Sequence, residues 1–275
     1  MLKSTQNFFE VQDATGFTMN FEVTANCLPT TTLFIHGNLA SNRWWYPTRD
    51  VVAKNLTGTS LPGHMVFAEF RGCGGSSAPK AESEITIDRL SNDFIALCGS
   101  QNWGKVNLVG HSTGGLIAAV MMAKAPELFN KAVLLDPVGA KGVTFNEAMP
   151  AAFEQMKQNK EIVALVMGST IHNNDAKSDF FRSIVIEDAF KAVNQVGVLI
   201  LRALDGLDVV EQVKKITHPV LVLHGEHDNL LPIDDSKGMA SLMANAKFEV
   251  FTGCGHCANV EDPTAFVTKI QKFLF

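Results

Sequence analysis

The chain has 275 residues, of which 46% are hydrophobic and 19% are charged. This composition excludes an intrinsically disordered protein, because so apolar a chain can bury enough surface to offset the entropy lost on folding. The 23 lysines and arginines are outnumbered by 28 acidic residues, and the formal net charge of −5 argues against a nucleic-acid-binding protein.

Seven short runs of apolar residues are predicted to form β-strands. Most of these runs are apolar almost throughout, which is typical of parallel strands that helices cover on both faces. The first run alternates apolar and polar residues, so we expect an antiparallel edge strand there. In chain order the runs are residues 17–24, 31–35, 65–70, 106–109, 132–135, 220–223 and 248–251.

Helical patterns alternate with most of these strands. Pro232 and Pro263 stand where the first turn of a helix tolerates proline. Alternation of strands and helices implies right-handed crossovers and an open, mostly parallel sheet, so we predict an α/β fold. The predicted helices outside the inserted region described next are residues 86–98, 113–124, 233–244 and 264–273.

Residues 142–217 interrupt the alternation, because they contain helical patterns but no buried strand. The segment is far longer than the median loop of ~4–6 residues, so we expect an inserted helical unit. The predicted division is a core at 1–141, a helical cap at 142–217 and the rest of the core at 218–275. Helices are predicted at residues 148–157, 162–167, 188–196 and 207–215, with a polar internal loop at residues 169–179.

A glycine-flanked serine follows the predicted strand at residues 106–109. Residues 110–114 read Gly-His-Ser-Thr-Gly, and a helical pattern begins directly after them. A strand-to-helix turn this tight strains its central residue, and glycine on both sides leaves room for the neighbouring backbone. We therefore predict that Ser112 is a nucleophile exposed above the sheet edge, at a helix N-terminus whose amides stabilise negative charge.

The serine requires a base and an acid that orients the base, because its hydroxyl is a weak nucleophile near neutral pH. His256 lies in a glycine-flanked loop after the last predicted strand, and Asp228 follows the strand before it. Since the carboxyl ends of parallel strands meet at one sheet edge, we predict that Ser112, Asp228 and His256 converge there. Asp136, which follows the strand at residues 132–135, is the competing acid.

Two backbone amides are predicted to stabilise the oxyanion that forms in acyl transfer. The N–H of Thr113, directly after the nucleophile, is the first. The second is expected from the loop after the strand at residues 31–35, where the N–H of Asn38 is the candidate and that of Leu39 the alternative. His36 in the same loop is interpreted as a structural residue that hydrogen-bonds loop backbone.

Short motifs follow five of the predicted strands. They read His-Gly at 36–37, Arg-Gly-Cys-Gly-Gly-Ser at 71–76, the serine turn at 110–114, Gly-Glu-His-Asp at 225–228 and Gly-His at 255–256. Together they resemble the α/β-hydrolase superfamily over nearly the whole chain. The resemblance implies an eight-stranded, mostly parallel sheet flanked by helices, a helical cap after the sixth strand, and a Ser–His–Asp mechanism without a cofactor. Glu69 departs from the pattern, since relatives often carry Asp at that position, which usually supports loop structure.

Two other patterns involve cysteines near the C-terminus. Residues 254–257 read Cys-Gly-His-Cys, but a redox dithiol requires a reactive cysteine at a helix N-terminus near the start of a compact redox fold. The same cysteines, taken with His224 and His227, lack the paired spacing of zinc sites. We therefore predict neither a metal site nor a cofactor.

The inserted segment is amphipathic and rich in methionine and phenylalanine. Most of these side chains are expected in the core, and a minority are expected to line an apolar acyl pocket above Ser112, where a lid would exclude water. Leu39, Trp44 and His111 are predicted to line the pocket, with Trp45 as a further wall residue. The candidates from the segment are Met149, Phe153, Met156, Met167, Phe180, Phe181 and Phe190.

These residues predict a serine hydrolase that cleaves carboxylic esters with small to medium acyl chains through an acyl-enzyme intermediate. A dehalogenase or epoxide hydrolase is disfavoured, because each uses a carboxylate nucleophile where this chain has Ser112. A lactonase, a C–C bond hydrolase and a cofactor-free perhydrolase stay open, because all of them need the same residues. A non-catalytic ligand receptor on a hydrolase scaffold is the alternative from a different class.

The sequence also carries expectations about location and partners. The first ten residues contain one lysine and a polar run where a signal peptide would have its apolar core. No apolar run approaches the ~20 residues of a membrane span. Five scattered cysteines predict free thiols in a reducing compartment. We expect a cytoplasmic protein, monomeric or weakly self-associating, that acts on an apolar small-molecule ester. The cysteines are Cys27, Cys73, Cys98, Cys254 and Cys257.

Overall fold

Eight strands form one sheet in the computed structural model of the chain, which describes residues 4–24, 30–54, 63–144 and 148–275. The strands are β1 (Ser4–Glu10), β2 (Thr18–Thr24), β3 (Thr31–Ile35), β4 (His64–Ala68), β5 (Val106–His111), β6 (Phe129–Leu135), β7 (Val220–Gly225) and β8 (Ala246–Phe251). Their order in the sheet is β1-β2-β4-β3-β5-β6-β7-β8. β2 is antiparallel to both of its neighbours, and every other adjacent pair is parallel.

Helices occupy most of the connections between the parallel strands, as expected for right-handed crossovers. They are α1 (Tyr46–Ala53), α2 (Ile87–Ser100), α3 (Thr113–Lys124), α4 (Ala148–Gln158), α5 (Lys160–Ser169), α6 (Ile186–Gln195), α7 (Gly197–Leu204), α8 (Val210–Val213), α9 (Ile233–Leu242), α10 (Ala258–Glu261) and α11 (Pro263–Leu274). Shorter 3₁₀ turns cover Asn42–Trp45, Glu82–Glu84 and Pro126–Leu128, and a π-helical turn covers Phe181–Val185.

The sheet separates two hydrophobic cores, because successive side chains of a strand point to opposite faces. On β3, Leu33 and Ile35 join the core beneath α2, α3 and the inserted helices, whereas Phe34 joins the core beneath α1 and α11. The inner strands β3, β5 and β7 are buried along their whole length. This double coverage explains why those strands are apolar almost throughout.

The sequence analysis missed the first strand and therefore assigned the edge incorrectly. β1 is the edge strand, and β2 lies between β1 and β4. Most residues of β1 are exposed, and Phe8 is 62% exposed. Its side chains therefore show no apolar pattern, and main-chain pairing with β2 defines the strand instead. Cys27, from the sequence analysis, lies outside the described residues.

The helices α4 to α8 all lie between β6 and β7, within the segment predicted to be an insertion. The helix predicted at residues 207–215 is wrong in length, because only Val210–Val213 is α-helical there. α7, which the sequence analysis missed, begins at Gly197 directly after α6 ends. None of the helices in the described part of the chain has the length and apolar character needed to cross a membrane.

Two buried charged residues hold the loop after β4. Glu69 accepts hydrogen bonds from the Asn20 side chain and from the backbone N–H groups of Asn42 and Gly75. Arg71 is fully buried and forms ion pairs with three carboxylates. The Arg-Gly motif is therefore part of the loop architecture, and Glu69 supports the loop as the sequence analysis expected. The partners of Arg71 are Asp13, Glu84 and Asp93.

Candidate active site

Ser112 occupies a strained turn between β5 and α3. Its backbone has φ 55° and ψ −122°, a conformation that costs a non-glycine residue free energy and persists only where surrounding contacts enforce it. A Cβ atom on Gly110 would lie 2.4 Å from the carbonyl oxygen of Gly114, and one on Gly114 would lie 2.3 Å from the carbonyl oxygen of His36. Both flanking positions therefore require glycine, for the reason that the sequence analysis gave.

His256 and Asp228 are hydrogen-bonded in the loops after β8 and β7. The Nδ1–H of His256 donates to Oδ2 of Asp228 at 2.8 Å, and the Asp228 side chain is fully buried. The backbone N–H groups of Leu230 and Leu231 donate to Oδ1 of Asp228 at 2.7 and 3.1 Å. The hydrogen bond between His256 and Asp228 fixes the imidazole ring so that its Nε2 atom is free to accept a proton from another group.

Asp228 is an ionised carboxylate at neutral pH. Burial by itself would raise the pKa of Asp228, but the hydrogen bond and the charge of His256, with the two backbone N–H groups, outweigh burial and lower the pKa to about 2. The pair therefore matches the orienting role that a carboxylate has beside a general base. Asp136, the competing acid, instead accepts a hydrogen bond from the N–H of Gly225 at 2.7 Å.

Ser112 and His256 line the same cavity, which has a volume of about 590 Å³. Among the described residues, no hydrogen bond joins the Ser112 hydroxyl to the imidazole of His256. Such contacts are often long in enzymes without substrate and tighten when substrate binds. The candidate nucleophile and the candidate base therefore line one cavity, without a hydrogen bond between them in the described residues.

His111 connects the serine turn to the His256 loop. Its Nε2–H donates to the backbone carbonyl of His256 at 2.8 Å, and the two rings lie 4.7 Å apart. Burial, together with the charge of His256, lowers the pKa of His111 to about 3. His111 is therefore neutral and serves as a hydrogen-bond donor that holds the His256 loop beside Ser112.

The two residues that carry the candidate oxyanion donors border the same cavity. Asn38 and Thr113 both line it, and in the described part of the chain neither backbone N–H has a hydrogen-bond partner. The N–H of Leu39, the alternative donor, is occupied by Oδ1 of Asn38 at 2.9 Å. The side-chain Nδ2–H of Asn38 donates to the backbone carbonyl of Gly197 at 3.1 Å. This hydrogen bond joins the loop to the first residue of α7 and holds the loop in place. This geometry favours Asn38 over Leu39.

His36 lies below this loop and is fully buried. Its Nδ1–H donates to the carbonyl of Gly37 at 2.7 Å, and its Nε2 accepts the N–H of Phe70 at 3.3 Å. Burial lowers the pKa of His36 to about 4. The ring is thus a neutral link between the loops after β3 and β4, which agrees with the structural interpretation of this residue.

The cavity wall is mainly apolar and only partly as predicted. Leu39, Trp44 and His111 line it, but Trp45 does not, because its ring stacks on Phe266 in the core on the opposite sheet face. From the inserted helices, Met149, Phe153 and Met167 reach the cavity, and the other predicted methionine and phenylalanine residues do not. The sequence analysis missed further wall residues, which carry no local motif: Val138, Val143, Val166, Leu201, Leu204, Leu230 and Leu231.

The cysteines after β8 are buried free thiols. Burial raises the pKa of Cys254 to about 12 and that of Cys257 well above its usual range. A thiol of that kind is inert, because the reactive species is the thiolate. The ring of His227 packs on the ring of His172, with centres 4.2 Å apart, and the contact of His227 with Cys254 is a backbone hydrogen bond from the His227 N–H to the Cys254 carbonyl at 2.9 Å.

His224 lies instead with Asp136 and Asp228, and the three side chains have polar atoms within 4.8 Å of one another. The atoms Oδ1 of Asp136, Nδ1 of His224 and Oδ2 of Asp228 are each within hydrogen-bond distance of a protein group. The protein groups are the N–H of Gly225, the hydroxyl of Ser236 and the imidazole of His256. Hydrogen bonds to neighbouring groups therefore hold each of the three side chains in place.

The fold has counterparts among solved structures. An enol-lactonase from Burkholderia xenovorans LB400 superposes with a TM-score of 0.81 at 18% identity, covering 98% of this chain and 99% of that one. An esterase from Exiguobacterium antarcticum superposes with a TM-score of 0.82 at 18% identity over the same shares. At these identities the likeness shows the fold alone.

Sequence comparison identifies the family. The chain is 26% identical to the 2-hydroxymuconate semialdehyde hydrolase of Pseudomonas sp. (strain CF600) over 221 residues, which is 76% of each chain. The model of the alpha/beta hydrolase family matches residues 32–269, which include every residue of the candidate site. The chain therefore belongs to the alpha/beta hydrolase family.

Proposed function

We propose that this hydrolase cleaves carboxylic esters through an acyl-enzyme intermediate formed on Ser112. The observation that carries the proposal is that one cavity is lined both by a serine on a strained turn and by an imidazole that a buried carboxylate orients. In the proposed mechanism His256 takes the proton of Ser112 as its oxygen attacks the ester carbonyl. Asp228 holds the ring and stabilises the imidazolium that forms.

The remaining steps use the same groups. The backbone N–H groups of Asn38 and Thr113 are proposed to bind the oxyanion of the tetrahedral intermediate. In support, neither backbone N–H has a hydrogen-bond partner within the described residues, and both residues line the cavity. His256 then gives its proton to the leaving alcohol. A water molecule, deprotonated by His256, attacks the acyl-enzyme and releases the carboxylic acid.

The size and apolar walls of the cavity support the proposal that the substrates have small or medium acyl chains. Its volume of about 590 Å³ lies within the usual range for small-molecule sites, and its walls are mostly aliphatic and aromatic. We propose that the helices between β6 and β7 act as a cap that excludes water and so strengthens the oxyanion contacts. The proposal also takes the protein to be cytoplasmic and monomeric or weakly associating, for which sequence composition is the support.

The test measures the hydrolysis of p-nitrophenyl acetate, p-nitrophenyl butyrate and longer esters by the wild type and by Ser112→Ala. We expect Ser112→Ala to lower kcat by about three orders of magnitude or more, and the wild-type protein to prefer the shorter esters. Ser241→Ala, which changes an exposed serine on α9, is the matched control. Wild-type turnover in Ser112→Ala would remove the assignment of the nucleophile.

Active-site labelling separates a hydrolase from a ligand receptor. An activated serine reacts rapidly with a fluorophosphonate probe, so we expect labelling of the wild type and none of Ser112→Ala. Folded wild-type protein that resists the probe would favour the receptor.

A substrate panel tests the other hydrolytic reactions. It includes an enol lactone and 2-hydroxymuconate semialdehyde, because proteins named for these compounds are among the relatives of the chain. A much higher kcat/KM for either compound than for the esters would replace the ester assignment while keeping the same residues.

A further inference from the structure

Asp136 has an unusual environment for a carboxyl group. It lies directly after β6, none of its surface is exposed, and its backbone has φ 43°. Its Oδ1 accepts the N–H of Gly225 at 2.7 Å, but Oδ2 is buried and has no hydrogen-bond partner within the described residues. A buried carboxylate needs partners for both oxygens, because an unpaired buried charge is very costly. The unpartnered oxygen therefore argues against a charge on Asp136.

The neighbouring carboxyl group is Asp228, which lies within 4.8 Å of Asp136, counted between polar side-chain atoms. Asp228 accepts three hydrogen bonds, one of them from His256. Two carboxyl groups that share a buried site raise the pKa of one of them, because two negative charges repel each other strongly where water is excluded. The charge therefore belongs on Asp228, whose oxygens are satisfied, and a proton belongs on Asp136.

We propose that Asp136 is a neutral carboxylic acid in the folded protein, and that its Oδ2–H donates to the carboxylate of Asp228. The only chemical step is the uptake of one proton from solvent, which breaks no other bond. Asp136 is then a positioning residue, which acts on His256 through Asp228. This catalytic consequence rests on the proposed function, whereas the protonation state does not.

The surrounding charges favour the neutral form. Burial raises the pKa of Asp136 well above its usual range, the charge of Asp228 raises it further, and the N–H of Gly225 opposes these effects only in part. The Nδ1 atom of His224 lies 3.3 Å from Asp136 Oδ1, but burial lowers the pKa of His224. The titratable groups that face or surround Asp136 are Asp228, His224, His256, Cys254, Cys257 and Glu261.

Asp136→Asn provides the first test, because asparagine resembles the neutral acid. Its Oδ1 can accept the N–H of Gly225 and its Nδ2–H can donate to Asp228. Below about pH 4 an unfolded aspartate is protonated like the folded Asp136, and above pH 4 only the unfolded chain loses its proton. The wild type must therefore lose stability relative to Asp136→Asn as pH rises. Its unfolding equilibrium constant, relative to that of the variant, increases by up to about tenfold per pH unit.

The measurement is the urea midpoint of both proteins from pH 4 to pH 8. We expect the advantage of Asp136→Asn to grow over this range. Asp234→Asn, which removes an exposed carboxyl group on α9, is the matched control. An advantage that is flat, or that shrinks as pH rises, would mean that Asp136 is ionised in the fold, for example as an ion pair with a protonated His224, and would overturn the proposal.

Infrared spectroscopy and kinetics give two further readouts. The wild type minus Asp136→Asn difference spectrum at pH 7 should contain the C=O band of a protonated carboxyl group. The absence of this band would contradict the proposal without any assay of activity.

The ester assay gives the kinetic readout, which is the apparent pKa on the acidic side of the pH profile of kcat/KM. We expect Asp136→Ala to raise this apparent pKa by about one unit and Asp136→Asn to have the wild-type value. A lower apparent pKa in Asp136→Asn than in the wild type would show that the substitution had removed a negative charge, and would contradict the proposal.

Discussion

His111 holds the serine turn against the His256 loop through one buried hydrogen bond. We expect His111→Phe, which keeps an aromatic ring and loses the N–H, to lower kcat by about tenfold and to change KM less, since a lost buried hydrogen bond costs about 1–3 kcal/mol. His111→Gln retains an N–H donor at a similar distance from the backbone and should keep more of the activity. Steady-state kinetics on p-nitrophenyl butyrate check the prediction, and equal losses in the two variants would contradict it.

At the scale of residues, the sequence predicts the strained turn at Ser112, because the Gly-x-Ser-x-Gly spacing reflects steric limits that any such turn must meet. For the acid, the sequence favours Asp228 but leaves Asp136 open. Both follow parallel strands, and both therefore reach the same edge of the sheet. The distinction depends on which carboxyl group contacts His256 and which accepts the N–H of Gly225. Those contacts are set by loop conformation, for which the sequence carries no periodic signal.

At the scale of elements, Arg71 joins the loop after β4 to the β1–β2 turn and to α2. Its guanidinium is fully buried and pairs with Asp13, Glu84 and Asp93. Removing one partner of a buried ionic network leaves the opposite charges unpaired, so we expect Arg71→Met to lower the free energy of unfolding by about 3–5 kcal/mol. Urea denaturation at pH 7 measures the loss.

The matched control for this prediction is Arg202→Met. Arg202 faces Glu82 at 3.6 Å, and both side chains are largely exposed, so we expect a change within about 0.5 kcal/mol. A similar loss in both variants would mean that the Arg71 network contributes no more than an exposed ion pair.

Sequence reasoning missed two elements, each for its own reason. β1 is mostly exposed and forms through pairing with β2, and α7 follows α6 without a polar break. Trp44 and Trp45 show a further limit. They are neighbours on one 3₁₀ turn, yet Trp44 faces the cavity and Trp45 packs in the opposite core. Only the direction of the turn decides between these two positions.

At the scale of the whole molecule, the parallel topology brings residues from distant parts of the chain to one sheet edge. Asn38, Ser112, Asp228 and His256 follow β3, β5, β7 and β8. The order of strands and helices is therefore enough to predict where the candidate site lies. The shape of the cavity could not be predicted in this way, because it depends on how α4, α5 and α7 pack over that edge.

Two carboxyl groups, those of Asp13 and Asp228, make the free energy of unfolding of the whole molecule depend on pH under acidic conditions. For Asp13, burial would raise the pKa, but the Thr15 hydrogen bonds and Arg71 outweigh it and lower the pKa to about 2; the pKa of Asp228 is also about 2. In the unfolded chain both groups titrate near pH 4. Between about pH 4 and pH 2 the unfolded chain therefore binds protons that the folded chain does not, and stability is lost as pH falls.

Asp13→Asn isolates one of these groups away from the candidate site. We expect the variant to be less stable than the wild type at pH 6, because it weakens the Arg71 network. The two urea midpoints should converge as pH falls from 4 to 2, since the wild type loses the stabilisation of the ionised Asp13 by up to about tenfold in the unfolding equilibrium per pH unit. A constant difference across this range would mean that Asp13 has the same proton affinity in the folded and unfolded chains. This window lies below the one proposed for Asp136, where stability changes with the opposite sign, so one pH series separates the two carboxyl groups.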